Sequence, residues 1–332
     1  MLKIVIPDDA PPVMGTSAAY RKLLQATPVD YHDTRPGSEE RLVERIAEAE
    51  IVINIRSSTR FTGNVFQHCH HLRLLSVWGT GTDNVDLPAA ARHGVTVTNT
   101  PGVSAISVAE HALALMLAVA RRIPATDSEV RQGRWPLSRS VQMHGKTLGV
   151  IGLGAVGCQF ARLGAGIGMR VIAWTMHPDP TLGFELVAFD DLLRLSDVIS
   201  LHLRLSSDTR GFIGKRELEQ MKHSVILINT ARGAIVDEQA FVEALSTNRI
   251  AGAGLDVFAV EPLTEGHALR RLENVVLTPH SAGDTPEALE SGLQLSIDNV
   301  WNFVGGQPTN VVISAEGAGS IAKMTKAPTD VQ

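Results

Sequence analysis

Three side chains of complementary chemistry follow three apolar runs late in the chain. Arg232 lies in Asn229-Thr230-Ala231-Arg232-Gly233, after Val225–Ile228. Glu261 closes the stretch that starts at Asp256, after Leu255, and His280 lies in Thr278-Pro279-His280-Ser281-Ala282-Gly283, after Leu277. A guanidinium can hold a carboxylate through two parallel charge-assisted hydrogen bonds. An imidazole can give a proton to a carbonyl oxygen as hydride reaches the carbon, or take one from an alcohol. A carboxylate bonded to that imidazole stabilises the imidazolium. Alone, each of the three is more often a surface ion-pair or turn residue. Together, at strand ends where open α/β sheets place their sites, they describe proton transfer at an oxygen beside an anchored carboxylate.

A hydride source for such chemistry is encoded upstream, in Thr147–Gly157. The apolar strand Leu148–Ile151 enters a G-x-G-x-x-G turn at Gly152, Gly154 and Gly157. A helix over Ala155–Gly168 follows, then a second strand, Met169–Trp174. Gly152 allows the tight turn, Gly154 lets a pyrophosphate approach the backbone, and Gly157 lets helix and strand pack closely. The helix start offers free N–H groups and the positive end of its dipole to that pyrophosphate. Bracketing by strand, helix and strand favours dinucleotide binding over a purely structural glycine turn.

Around these motifs run two strand–helix series. The first contains Lys3–Ile6, Ile51–Ile55 and Leu74–Val77, with helices such as Glu39–Ala49 between them. The second runs through Leu148–Ile151, Arg170–Trp174, Val198–Leu201, Val225–Asn229, Gly252–Leu255 and Val275–Leu277. Six strands beginning at the glycine turn make a doubly wound nucleotide-binding sheet, so that motif opens the second domain. The first series is short of helices, and the periodic face of Pro286–Phe303 can supply one. The expected class is α/β, a Rossmann parallel sheet inserted into a smaller flavodoxin-like α/β substrate domain. The expected division is residues 1–100, the Rossmann insertion at 101–282, a return at 283–313 and a mobile tail at 314–332. Crossings near Pro101–Ala120 and Ala282–Glu290 would form a hinge, with the cleft as the default site. The long segment Arg121–His144, with Trp135, reads either as an arm for a second subunit or as a surface loop.

Composition limits the alternatives. At 332 residues the chain has room for about two domains. A net charge of -5 argues against a nucleic-acid partner. Cys69 and Cys158, the two cysteines, show no metal-ligand spacing and fit a reducing cytoplasm. The strand at Met1–Ile6 leaves no room for a signal peptide. The most apolar helix, Val108–Ala120, carries Glu110 and His111 and is too short to span a bilayer. A soluble cytoplasmic protein acting on a small molecule is expected, without metal, membrane or nucleic acid.

The chain resembles the D-isomer-specific 2-hydroxyacid dehydrogenases, the family of glyoxylate/hydroxypyruvate reductases and phosphoglycerate dehydrogenases. The resemblance covers about Ile51 to Val312. It rests on Gly79-Thr80-Gly81-Thr82-Asp83-Asn84-Val85-Asp86, Gly152–Gly157, Asn229–Gly233, Gly254–Phe258 with Glu261-Pro262, and Thr278-Pro279-His280. It implies a homodimer built on the arm, with Arg232 binding a 2-oxo acid, His280 as acid/base and Glu261 as its partner. It implies that the Gly79, Thr80 and Gly81 backbone holds the substrate carboxylate as an anion nest. It also implies that Ala155 and Val156 meet the pyrophosphate through their N–H groups. Asp256 would meet the nicotinamide carboxamide, unless it is a strand-end cap. Thr230 and Gly283 complete the cofactor set.

Two departures bear on specificity. An NAD-specific fold wants an acidic residue at the end of the second strand, and Thr175 stands there. With His177 and Arg204 nearby, NADP(H) is a candidate beside NAD; a relaxed NAD site is the alternative. Arg56 resembles an anion-binding arginine of phosphoglycerate dehydrogenases. Trp78, however, puts apolar bulk just before the Gly79 loop, unless it only packs the core. A small 2-oxo acid such as glyoxylate or hydroxypyruvate is therefore favoured over 3-phosphoglycerate.

Overall fold

Short runs of Ile, Val and Leu with Thr and Asn ends set two separate sheets. The computed structural model describes residues 2–137 and 140–315. The chain divides into two units, one formed by residues up to Val103 with those from Pro286 onward, the other by Ser104–Thr285.

The first unit begins with β1 (Ile4–Ile6), α1 (Ala18–Ala26), β2 (Val29–Tyr31), α2 (Glu39–Ile46) and β3 (Ile51–Asn54). It continues through α3 (Gly63–His68), β4 (Leu74–Val77), α4 (Leu87–Arg92) and β5 (Thr96–Thr98). Its helices start where a side chain accepts a free backbone N–H. Ser17 caps α1, Ser38 caps α2, Thr62 caps α3 and Asp86 caps α4. Buried along their whole length, β3 and β4 lie mid-sheet, as parallel strands covered on both faces do.

The second unit holds α5 (Ala105–Arg121), α6 (Ile123–Arg131), β6 (Thr147–Ile151), α7 (Ala155–Gly166), β7 (Arg170–Trp174), β8 (Glu185–Leu186) and α8 (Phe189–Leu195). After these come β9 (Val198–Leu201), α9 (Lys215–Gln220), β10 (Ile226–Asn229), α10 (Glu238–Ser246), β11 (Gly252–Leu255) and β12 (Val275–Leu277). Its sheet has the order β12-β11-β10-β9-β6-β7-β8 and is parallel throughout. The order reverses between β6 and β9, which makes a doubly wound Rossmann sheet with its crevice at their carboxyl ends. Leu148 and Val150 pack on one face beneath α5 and α7, against Phe160 of α7. Ile199, Leu201, Leu227 and Phe241 pack on the other.

The chain then returns through α11 (Pro286–Val304) and β13 (Val311–Ile313), completing a first-unit sheet of order β13-β5-β4-β3-β1-β2. Only β13 is antiparallel, against β5. Leu293, Ile297 and Val300 of α11 are buried with Ile4, Ile53 and Leu23.

Several elements differ from the sequence reading. The first unit is not short of helices, since α1 to α4 belong to it in addition to α11. Its sheet also gains β2, β5 and β13, each of three residues, and the Rossmann sheet gains the two-residue β8. Strands this short carry no readable alternation, and Val29-Asp30-Tyr31 places a charge at its centre. Residues 316–332, most of the stretch expected to be a mobile tail, lie outside the described residues.

Candidate active site

At the glycine turn, φ is +98° at Gly152, a left-handed conformation suited to glycine. A Cβ on Gly157 would stand 1.9 Å from the Gly152 carbonyl oxygen, so helix and turn meet there with no room for a side chain. A Cβ on Gly154 would meet nothing within 4 Å. Gly154 caps α7 without a side-chain hydrogen bond, which leaves the Ala155 and Val156 amides at an uncapped helix start. His202, beside this turn, is half-buried against Phe160 and bonds Ser200 Oγ at 2.9 Å; desolvation pushes its pKa down to about 3. The turn's attraction for an anion therefore comes from backbone amides, with His202 neutral.

Arg232 follows β10 on a turn braced by the buried Asn229. Asn229 Nδ2 donates to the Arg232 carbonyl at 2.9 Å, and its Oδ1 accepts from Ala231 N at 3.0 Å. The next residue, Gly233, touches the following loop. A Cβ there would lie 1.9 Å from the Phe258 carbonyl carbon, so the two backbones are in contact. That second loop carries Glu261, whose Oε1 accepts from Phe258 N at 2.9 Å. Its Oε2 lies 2.7 Å from His280 Nδ1. Burial alone would raise the Glu261 pKa. The His280 hydrogen bond and charge, the Phe258 amide and the Arg232 charge outweigh it and hold the carboxyl below its ordinary value. Glu261 is thus ionised, Nδ1 of His280 donates to it, and Nε2 is the nitrogen left to exchange a proton. Glu261 meets His280 and also feels the Arg232 charge.

His280 has φ +56°, a left-handed conformation that non-glycine residues adopt at a cost of roughly 1–3 kcal/mol. Asp256, fully buried, holds the loop in that shape. Its Oδ1 accepts from Thr278 Oγ1 at 2.6 Å and from Ser281 N at 2.9 Å, and its Oδ2 accepts from Ala282 N at 2.9 Å. Of the two readings of Asp256, the strand-end cap is the one these bonds describe. His111 of α5 joins them at 2.9 Å from Thr278 Oγ1. His111 had no assigned role in the sequence, although a histidine in a largely apolar helix was the signal. A Cβ on Gly283 would stand 3.4 Å from Ser104 Cβ, so this glycine lies beside the start of α5.

The residues expected to hold a dinucleotide fit that group. The hydroxyl of Thr230, beside Arg232, is buried without a hydrogen-bond partner among the described residues. A buried hydroxyl normally has a partner, so one supplied by a ligand accounts for it. Thr175 is half-buried at the end of β7, while His177 and Arg204 are exposed; the Arg204 carbonyl accepts from Thr209 Oγ1.

In the first unit Arg56, Trp78 and Gly79 make contacts within the protein. Arg56 Nη2 pairs with the buried Asp9 at 3.3 Å and also donates to the Pro11 carbonyl. Asp9 in addition accepts from Val13 N, Met14 N and Tyr31 Oη, so the arginine closes an internal network that the sequence did not disclose. Trp78 packs into the notch at Gly292 of α11, where a Cβ would stand 1.9 Å from its Nε1, and that nitrogen donates to the Leu289 carbonyl. The Gly79 amide donates to Thr100 Oγ1 at 2.6 Å, which narrows the expected anion nest to Thr80 and Gly81.

Residues 113–282 match the D-isomer specific 2-hydroxyacid dehydrogenase NAD binding domain. The chain is 36% identical to the glyoxylate reductase of Korarchaeum cryptofilum over 85% of its own length and 88% of that protein. It is 39% identical to the D-3-phosphoglycerate dehydrogenase of Archaeoglobus fulgidus over 83% of its length, but spans only 54% of that longer relative. Among solved structures, an acyclic imino acid reductase in complex with NADPH and D-Arg superposes with a TM-score of 0.86 at 30% identity, covering 94% of this chain and all of that one. Among the described residues no helix is long and apolar enough to cross a membrane. With the dinucleotide turn and the arginine–glutamate–histidine cluster on one Rossmann sheet, the chain belongs to the D-isomer specific 2-hydroxyacid dehydrogenases, oxidoreductases that work with NAD or NADP.

Proposed function

We propose that this protein reduces a small 2-oxo acid of the glyoxylate or hydroxypyruvate kind to its 2-hydroxy acid. The 2.7 Å contact between His280 and an ionised Glu261, with Arg232 close enough to act on that carboxylate, carries the reading. Arg232 takes the substrate carboxylate. His280 protonates the substrate oxygen from Nε2, and Glu261 stabilises the imidazolium before that transfer. Gly152, Gly154, Ala155, Val156 and Gly157 would hold the pyrophosphate, with Thr230 and Gly283 near the nicotinamide end. When bound, the nicotinamide supplies the hydride that this proton accompanies.

The internal pairing of Arg56 with Asp9 and the packing of Trp78 support an unphosphorylated substrate, because neither offers a strong anion site. The test is a steady-state comparison of glyoxylate, hydroxypyruvate and 3-phosphohydroxypyruvate. A preference for the phosphorylated acid would replace this reading with a phosphoglycerate dehydrogenase.

NADPH is the proposed preferred cofactor. Thr175 places no carboxylate against a 2′-phosphate, Arg204 is an exposed positive charge on the loop after β9, and the imino acid reductase named above is in complex with NADPH. Thr175→Asp is expected to shift the NADPH-to-NADH ratio of kcat/KM at least about tenfold toward NADH, as one repelled charge pair implies. Arg204→Ala should shift it in the same direction. A wild-type NADH preference that survives Arg204→Ala would overturn this assignment.

A cytoplasmic homodimer completes the proposal. No residue of α6 is buried, and Trp135 and Leu137 beyond it are 86% and 98% exposed. Apolar side chains that open to water favour a second copy of this chain as their cover. Light scattering should give twice the monomer mass for the wild type and the monomer mass for Trp135→Glu combined with Leu137→Glu. A monomeric wild type would contradict it.

A further inference from the structure

We propose that His111, on α5, is a positioning residue for His280 that acts through Thr278 and Asp256. The inference rests on the assignment of His280 as the acid/base. The direction of the hydrogen bonds follows from counting protons. Thr278 has one hydroxyl proton, and the 2.6 Å contact gives it to Asp256 Oδ1. Toward His111, Thr278 Oγ1 can then only accept, so His111 Nε2 carries hydrogen and donates at 2.9 Å. The same Nε2 lies 3.6 Å from Asp256 Oδ1. The result is a one-way chain, His111 to Thr278 to Asp256, whose carboxylate also binds the Ser281 and Ala282 amides. Those amides and Thr278 lie on either side of His280, the residue in the left-handed conformation.

The helix contributes at more than one point. Ser107 Oγ lies 2.8 Å from Thr285 Oγ1, and Ser104 stands against Gly283. Ser107 and His111 lie about one helical turn apart on α5 and meet Thr285 and Thr278 respectively, with Ser104 just before the helix near Gly283. A strained loop keeps its shape only where its surroundings over-determine it, and the His111 chain is the part that reaches the carboxylate beneath His280.

His111→Leu removes the donor with the shape largely kept, whereas His111→Gln retains an N–H in place of Nε2. In the Leu variant, kcat for the 2-oxo acid is expected to fall between about 10- and 100-fold, the range for a misplaced catalytic group. KM and NADPH affinity should stay within about twofold of wild type. Hydrogen exchange, read by mass spectrometry, should speed up in the peptide covering residues 278–285, and Gln should restore both kcat and protection. Thr278→Val breaks the same chain one step later and should reproduce the Leu phenotype without adding to it. Unchanged exchange in 278–285 would overturn the proposal, as would faster exchange with an unchanged kcat, or a Gln variant as impaired as Leu. Exchange is read without turnover, and His280→Gln separately tests the acid/base assignment, so failure of either claim can be told from failure of the other.

Discussion

Replacing His280 by Gln is expected to lower kcat by about two to four orders of magnitude, the usual contribution of a positioned acid/base. Gln fills a similar volume but has no ring nitrogen able to exchange a proton, so the acid/base is lost while the loop around it is kept. The folded state should be nearly indifferent. The pair is about one-third exposed on both partners, and exposed ion pairs contribute little. Cofactor affinity should also hold, because the turn at Gly152–Gly157 is untouched. Thermal unfolding and NADPH titration of the purified variant check both points. Turnover within a few-fold of wild type would remove His280 from its role.

The second large effect is expected at Gly157→Ala. The added Cβ would meet the Gly152 carbonyl oxygen at 1.9 Å, a backbone atom that cannot rotate away. Relief requires α7 to lift from the turn, at the 1–3 kcal/mol typical of overpacking. Because that shift moves the Ala155 and Val156 amides, the NADPH dissociation constant should rise by about 10- to 100-fold. Gly154→Ala is the control. Its Cβ direction is open within the protein, so any loss there reports an approach by the ligand itself. A Gly157→Ala variant that binds NADPH as well as wild type would show that the turn does not shape the cofactor site.

How much of this was legible in the chain depends on where each residue gets its meaning. The Rossmann strands and the glycine turn were readable because their signals are local: an apolar run, then glycines at fixed spacing. The three catalytic candidates were readable because each sits directly after such a strand. Arg56 and Trp78 were not, since their partners are distant in sequence. Asp9 lies 47 residues from Arg56, and Leu289 lies 211 residues from Trp78. His111 was hidden for the same reason, 167 residues from Thr278. The three-residue strands of the first unit are held by their neighbours in the sheet, and no pattern within three residues can announce that.

The central claim is reduction of a small 2-oxo acid with the arginine–glutamate–histidine cluster as its machinery. One kinetic panel tests it most directly: glyoxylate, hydroxypyruvate, pyruvate, bulkier 2-oxo acids and 3-phosphohydroxypyruvate, each with NADPH and with NADH. The highest kcat/KM is expected for glyoxylate or hydroxypyruvate with NADPH, abolished by His280→Gln. No oxidation of either cofactor with any acid in the panel, from protein that binds NADPH, would contradict it and leave a dinucleotide-binding scaffold in its place.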